Sequence, residues 1–346
     1  MTRRSALGQV AIFALSFLAV SQALLRFGPA DDGRDLSFRL HAIETEPRPF
    51  TAIFIGNSHV YRHVDPAAFD AVVAERLPEF RSYNLGAKGM SLFEAHYLLR
   101  RLFASSPDRL RWVFVDLTLR LDSHPDNFES QRVINWHVPS EALMAVSWVL
   151  GRQTPIGEKL DSLARHARAT LRRMSNQGRL TTLVSRSLSH RTGLPSADRL
   201  EAASRGHLPV DRFDTPHKSE RRGKLVAADE DREERLDALP PSDGLPPEAI
   251  ADDQRLLRAI VELVVANGAR PVFYVSPTIY WPRLVPDDGE CNGYPVLAFN
   301  DPARYPQLYD AKVRFDPDHL NKKGAETFTR LLAERFLRSL DGGDGE

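Results

Sequence analysis

Three apolar runs of strand length, each ending on polar residues, constrain the fold of this chain more than any other feature. They are Thr51 to Ile55 before Gly56-Asn57-Ser58, Trp112 to Leu117 before Thr118, and Pro271 to Val275 before Ser276. Unbroken Val, Ile and Phe runs suit strands covered on both faces. Helical patterns separate them. Asp65 ahead of Pro66 is an N-cap followed by the residue favoured at the first helical position, and "PAAFDAVVAERL" continues as an amphipathic helix. Ser91-Leu-Phe-Glu94 is a capping box that opens "SLFEAHYLLRRLFA". A helix stopped at Asn267-Gly268 precedes the Pro271 strand, and a long amphipathic helix with Asn321 as its cap ends the chain. "RSYNLG" reads as a further short extended piece. This alternation predicts an α/β fold with a mostly parallel sheet between helical layers.

Ligands of such sheets gather beyond the carboxyl ends of the strands. The informative residues are therefore Asn57-Ser58-His59, Gly86 to Gly89, Thr118 to Asp122, Ser276-Pro277, and Asp316-Pro317-Asp318-His319 before the last helix. Gly56 would let the backbone turn sharply at the end of the first strand. A serine hydroxyl becomes a nucleophile when a base takes its proton, and the base needs an acceptor to orient it. Ser58 on a strand-to-loop turn, with His319 and Asp316 three residues apart on one short turn, supplies that set. Asp316 has a competing use as a cap of the last helix, and Gly89 as relief of crowding before Ser91. His59 reads as a structural or substrate-contacting residue rather than the base, because neighbours on an extended segment point to opposite sides. Asp318 reads as a solvated loop residue. Arg132, Trp136 and His137 follow the third strand; the indole either stacks on a sugar ring or fills the core at an insertion boundary.

Other chemistries lack their signatures. With 46 Lys+Arg against 46 Asp+Glu, nothing global argues for nucleic acid. Cys291 is the single cysteine, so neither an intrachain disulfide nor a thiolate zinc cluster can form. The 11 histidines show no His-Glu-x-x-His spacing, and no phosphate-binding glycine loop appears. The expected chemistry uses no cofactor and no metal.

The N-terminus carries the compartment signal. Arg3-Arg4 precedes a segment free of charge from Ser5 to Leu25, long enough to cross a bilayer with the rest of the chain outside. The alternatives are a cleaved signal peptide, for which Ser21-Gln22-Ala23 has small-x-small character, and a helix buried in the domain of a soluble cytoplasmic hydrolase. The layout expected is an anchor or signal at 1–27, a tether at 28–49, an α/β domain at 50–340 with an insertion at about 140–250, and a tail at 341–346. Within the insertion, residues 151–205 hold 11 Lys/Arg against 4 Asp/Glu, a solvated face or a contact with a membrane surface or anionic glycan. Residues 217–247, charged and proline-rich, read as a surface loop.

The blocks "IGNSH", "NLGAKGMS" and "DPDHLNKKGA" together resemble the SGNH hydrolase family, in its order of blocks. The resemblance implies a flavodoxin-like, three-layer SGNH fold with Ser58 as nucleophile, His319 as base and Asp316 as its orienter. It implies Gly89 and the backbone of Ser58 as oxyanion donors. The chain departs from the pattern at Asn57, where the family has aspartate. It departs again after "VFVDL", where the family's oxyanion asparagine is missing and Arg120 falls near its place; Arg120 or Asn127 would have to substitute. Asn57, His59, Trp136, His137 and Arg132 are the candidate substrate contacts. With its N-terminal segment the chain is similar to membrane-anchored proteins that O-acetylate exported bacterial polysaccharides. That implies an acylated glycan or small acyl ester as substrate, a membrane acyl-donor protein as a partner, and a place on the outer face of the inner membrane. The alternative is a catalytically weak module that binds polysaccharide or scaffolds an export complex.

Overall fold

A computed structural model of the chain describes residues 3–27, 34–105, 109–176, 203–210, 247–278 and 290–341. The chain divides into two compact units, Met1–Phe38 with Ser123–Pro195, and Arg39–Asp122 with Ser196–Glu346. In chain order the elements begin with α1 (Arg3–Phe27), α2 (Arg34–Thr45), β1 (Ala52–Ile55), α3 (Ser58–His63), α4 (Pro66–Val73), β2 (Ser82–Asn84), α5 (Leu92–Ser105) and β3 (Trp112–Asp116). There follow α6 (Gln131–Trp136), α7 (Pro139–Gly151), α8 (Ile156–Met174), α9 (Pro247–Ala266), β4 (Arg270–Val275), β5 (Glu290–Cys291), β6 (Tyr294–Ala298), α10 (Pro306–Tyr309) and α11 (Lys322–Asp341).

The larger unit holds one six-stranded sheet in the order β2-β1-β3-β4-β6-β5. All pairings are parallel except that of β5 with β6. β1 and β3 run in register from Ala52 opposite Trp112 to Ile55 opposite Val115. The chain leaves β1 towards one sheet edge and β3 towards the other, so the strand order reverses between them. Connections diverge at such a point and leave a crevice at the carboxyl ends of the strands. Ile53 to Ile55 and Val113 to Val115 are wholly buried, as strands covered on both faces must be. On one face the rings of Phe54, Phe69, Phe114 and Phe336 pack with centroids 4.4–5.9 Å apart, joining β1, α4, β3 and α11. This cluster seats α11, and with it the residues just before α11, at the end of β1.

The local signals act as their chemistry requires. Asp65 accepts from the N–H groups of Ala67 and Ala68 at the start of α4. The Ser91 hydroxyl accepts from the Glu94 N–H, and Asn321 caps α11 through the Gly324 N–H. Gly268, with φ 74°, ends α9 in the left-handed region.

The structure departs from the sequence expectations at some points and adds to them at others. Residues 34–45 of the expected tether form a helix, with Leu36 and Leu40 buried. The β5–β6 hairpin was not anticipated, although Asn292 (φ 51°) and Gly293 (φ 82°) are the Asn-Gly pair that a tight hairpin turn favours. The division between units falls after Asp122, ahead of the expected insertion boundary. Among the described residues no helix is long and apolar enough to cross a membrane, so the anchor gains no support from the structure. The charged stretch at 217–246 lies outside the described residues.

In the smaller unit, α6 and α7 pack on α8. Trp136 is 0 % exposed, with its ring 3.7 Å from that of His137 and 5.9 Å from that of His166. His137 is also buried, with Nδ1 on the Val133 carbonyl and Nε2 3.0 Å from His166 Nδ1. A wholly buried indole has no face open to a sugar, so Trp136 and His137 are core residues of this unit and not glycan contacts. Arg132 is half-buried on α6.

Candidate active site

The site forms where β1 ends. Gly56 is needed there for space and not for an unusual φ: a Cβ would stand 2.2 Å from Val60 Cγ2 and 3.2 Å from Asp116 Cβ. Gly86, after β2, is equally confined, its Cβ position being 2.6 Å from the Tyr61 N and 2.7 Å from Val60 Cβ. The two glycines let α3 begin in the crevice itself. Ser58 is therefore the first residue of a helix and not part of an extended segment. Its neighbour His59 turns away by about a quarter of a helical turn, since residues advance by about 100° each.

Asn57 holds this turn with both ends of its amide. Its Oδ1 accepts the His59 N–H at 2.8 Å, and its Nδ2 donates to the Thr118 carbonyl at 2.9 Å. The group thus caps α3 and joins it to the end of β3. Asn84 does similar work from β2. Its Nδ2 donates to the carbonyls of Val60 and Val64 at 2.6 and 2.7 Å, and its Oδ1 accepts the Gly86 N–H at 2.9 Å. Arg39 donates to the Gly86 carbonyl and lies over the Tyr61 ring at 4.4 Å, with Arg62 over the same ring at 4.3 Å. Neither Asn84 nor Arg39 was singled out from the sequence. A polar residue ending a buried strand was a signal for Asn84; Arg39 sat in an apparent tether and offered none.

Ser58, His319 and Asp316 come together. Ser58 Oγ lies 2.9 Å from His319 Nε2. His319 Nδ1 lies 3.0 and 3.1 Å from the two oxygens of Asp316. Asp316 Oδ1 also accepts the N–H groups of Asp318 and His319 at 2.8 and 2.7 Å, which fixes the turn. Asp316 therefore caps its own turn, and Asn321 caps α11. With a carboxylate accepting at Nδ1, the proton of a neutral His319 sits there, and Nε2 turns a lone pair to the Ser58 hydroxyl. Asp316 and His319 are buried and Ser58 is half-buried.

A second histidine–carboxylate pair lies alongside. His59 Nε2 is 2.9 Å from Asp318 Oδ1, and His59 Nδ1 is 2.9 Å from Thr118 Oγ1. His59 is 2 % exposed and both ring nitrogens are engaged, so it is a buried structural ion and not a substrate contact. Burial alone would lower its pKa, but the charge of Asp318, their hydrogen bond and the charge of Asp116 together raise it. For Asp318, burial opposes ionisation, yet the His59 charge and hydrogen bond, then His319 and Arg314, hold the carboxyl far below its usual range. The expectation of a solvated Asp318 fails because the turn that presents His319 also aims Asp318 at His59. Behind this pair, burial raises the pKa of Asp116, which accepts from the Ser276 hydroxyl at 2.6 Å and the Thr118 N–H at 3.0 Å.

His63 completes a cluster of rings, with centroids 5.2 Å from His59 and 5.9 Å from His319. Burial, followed by the nearby charges of His59, His319 and Arg314, presses its pKa well below the ordinary value. It stays neutral and its Nε2 accepts the Leu320 N–H at 3.0 Å, tying α3 to the residue after His319.

Two backbone donors remain at the mouth. Gly89 has φ 62° in a turn closed by the Met90 N–H on the Ala87 carbonyl. Neither the Ser58 N–H nor the Gly89 N–H finds an acceptor among the described residues. Arg120 forms a bridge with Ser91, its carbonyl accepting the Leu92 N–H at 2.9 Å, which sets it beside the Gly89 loop. Its side chain is exposed and makes no hydrogen bond or ion pair among the described residues. Asn127 belongs to the smaller unit, in a short 3-10 turn at Pro125–Asn127. Among the described residues no group of three His, Cys, Asp or Glu is arranged to hold a metal ion.

A hydroxyl, a base on it, an orienter behind the base and free backbone N–H groups are the parts acyl transfer to serine requires. No family model matches the chain, and no curated protein matches it in sequence.

Proposed function

We propose that the chain is an SGNH-like serine esterase or O-acyltransferase with a flavodoxin-like three-layer domain. The observation that carries this reading is the Ser58 Oγ to His319 Nε2 distance of 2.9 Å, with Asp316 on the other ring nitrogen. Ser58 Oγ attacks an acyl carbonyl and its proton passes to His319 Nε2. The new oxyanion accepts from the Ser58 and Gly89 N–H groups, with the free Arg120 guanidinium as a third donor. Collapse expels the alcohol, which takes the proton from His319 and leaves an acyl-serine. Water as the second nucleophile gives deacylation, and a sugar hydroxyl gives transfer. The sequence resemblance supports acyl groups of a cell-envelope or exported polysaccharide as the substrate. It also supports residues 5–25 as an inner-membrane tether, with the site on the extracytoplasmic side and a membrane acyl-donor protein as a partner.

A second reading is a module that binds polysaccharide without turning it over. One observation favours it: the segment after β3, Thr118 to Asp122, offers no side-chain amide to complete an oxyanion hole. One experiment separates the two. The detergent-solubilised full chain should be labelled by a serine-directed fluorophosphonate and should release p-nitrophenol from its acetyl ester, and Ser58→Ala should lose both signals. Wild-type protein that is folded yet inert in both assays, while retaining polysaccharide, establishes the second reading.

A further inference from the structure

The smaller unit has an apolar interior that includes Val133, Ile134, Trp136, Trp148 and Val149, yet it also leaves large aliphatic side chains outside. His137, Glu141, Ser162 and His166 are buried. On α8 the buried residues Ser162, His166 and Ala169 share one side. Ile156, Leu160, Leu171 and Met174 recur at helical spacing on the other side and are 71, 59, 65 and 42 % exposed. Leu143 and Leu150 of α7, seven residues apart and so on one face, are 68 and 59 % exposed. A helix pair stable in water would keep such stripes out of contact with solvent.

Lys159 and Arg168 flank the α8 stripe on its two sides, and the helix as a whole is basic. Lys159, Arg165, Arg168, Arg172 and Arg173 share α8 with only two acids, Glu158 and Asp161. Arg165 pairs with Asp161, and Arg172 reaches Glu129 at 3.1 Å. Arg168 is exposed and has no partner among the described residues. Arg165, Arg168 and Arg172 line a cavity of about 370 Å³ with Phe128. Exposed apolar side chains also occur on α1. That helix packs on α8, accepts a hydrogen bond from Asn176 Nδ2 at the Ser21 carbonyl (2.6 Å), and exposes Ile12, Phe13 and Phe17.

An apolar stripe flanked by Lys159 and Arg168, on a helix too charged to cross a bilayer, suits the boundary between anionic headgroups and acyl chains. We propose that the α7–α8 pair is an in-plane docking surface for an anionic bilayer. Leu143, Leu150, Ile156, Leu160, Leu171 and Met174 enter the acyl boundary, and Arg168 with its basic neighbours meets headgroup phosphates. This surface does not involve Ser58, and its test does not depend on turnover.

The test uses the full chain with single cysteines introduced by Leu160→Cys, Leu171→Cys or, away from the stripe, Glu158→Cys, each labelled with an environment-sensitive fluorophore. The native Cys291 is buried with its thiol pKa pushed up to about 11, so it competes poorly for the label, and unsubstituted protein measures that background. Vesicles of phosphatidylethanolamine and phosphatidylglycerol carry a quencher on the acyl chain. Quenching at 160 and 171 should exceed that at 158 by about threefold, and should fall when phosphatidylcholine alone is used. Because each label reports its own depth, anchoring through α1 cannot mimic this result. Labels at 160 and 171 that stay unquenched while one placed by Phe13→Cys is quenched overturn the proposal. So does lipid-independent shielding of 160 and 171 accompanied by a doubled mass, which assigns the stripe to a second copy of the chain.

Discussion

His59 Nε2 stands 2.9 Å from Asp318 Oδ1, and each of these residues is the chain neighbour of a partner in the Ser58–His319 hydrogen bond. Two parallel bonds therefore join the turn after β1 to the turn before α11. The His59–Asp318 bond is ionic, since the pKa of His59 is raised and that of Asp318 lowered. Asp318→Asn should lower stability by about 1–2 kcal/mol, the lower part of the range for hydrogen bonds to charged groups, because Asp318 is one-third exposed. The pH dependence identifies the cause. The pKa of folded His59 is raised, so its contribution is complete below about 6.5, the unfolded value, and is lost as pH rises through the folded value. Asp318 is depressed, so its contribution is present above about 3.9 and is lost only as pH falls through its folded value. Without Asp318, burial dominates His59 and reverses its sign. Urea unfolding from pH 5 to 9 should thus show a stability difference between wild type and Asp318→Asn that shrinks towards alkaline pH. A difference independent of pH would show that the pair is not ionised.

His63 should act in the opposite direction. Its folded pKa is depressed, so between the folded value and about 6.5 the unfolded chain binds the extra proton. Stability should fall as pH drops below about 6.5, at up to about 1.4 kcal/mol per pH unit from this residue. In His63→Gln an amide oxygen can accept the Leu320 N–H, and that part of the acid slope should disappear. Calorimetric melts at a series of pH values compare the two slopes, and equal slopes would assign the acid sensitivity elsewhere.

Gly56→Ala should destabilise by about 1–3 kcal/mol through overpacking against Val60 Cγ2, which is 2.2 Å from the new Cβ. Val60→Ala removes that methyl group at the expense of a cavity. The double variant should therefore be more stable than the sum of the two losses, with a coupling of about 1 kcal/mol or more. Chemical denaturation of all four proteins gives the coupling directly. Additive losses would show that the glycine is needed for backbone freedom instead.

Arg120→Ala tests the third oxyanion donor. Its side chain is exposed and free of partners among the described residues, so the fold should be untouched. If the guanidinium meets the oxyanion only in the transition state, kcat should fall by about 10²–10³ with KM nearly unchanged. Turnover of p-nitrophenyl acetate measures both constants, and an unchanged kcat would leave the two backbone N–H groups as the whole of the hole.

The sequence by itself determined the elements whose cause is local. The apolar runs ending at Ile55, Leu117 and Val275, the Asp65 and Asn321 caps and the stop at Gly268 are written in adjacent residues, and all appear in the structure, the second run as a strand that stops at Asp116. Strand-end logic also picked out Ser58, Asp316 and His319, because side chains at those ends must face one crevice. Tertiary structure decided what depends on residues distant in the chain. Asp318 reads as a solvated loop residue until His59, 259 positions away, is placed against it. His59 resembles a ligand contact until Thr118 and Asp318 take its two ring nitrogens. Trp136 resembles a sugar platform until His137 and His166 cover it. Glycine 56 suggests a sharp turn, whereas only the position of Val60 shows that it is missing a Cβ for lack of room. In each case the residue type fixes what a side chain can do, and the long-range packing around it fixes which of its polar atoms and faces remain available.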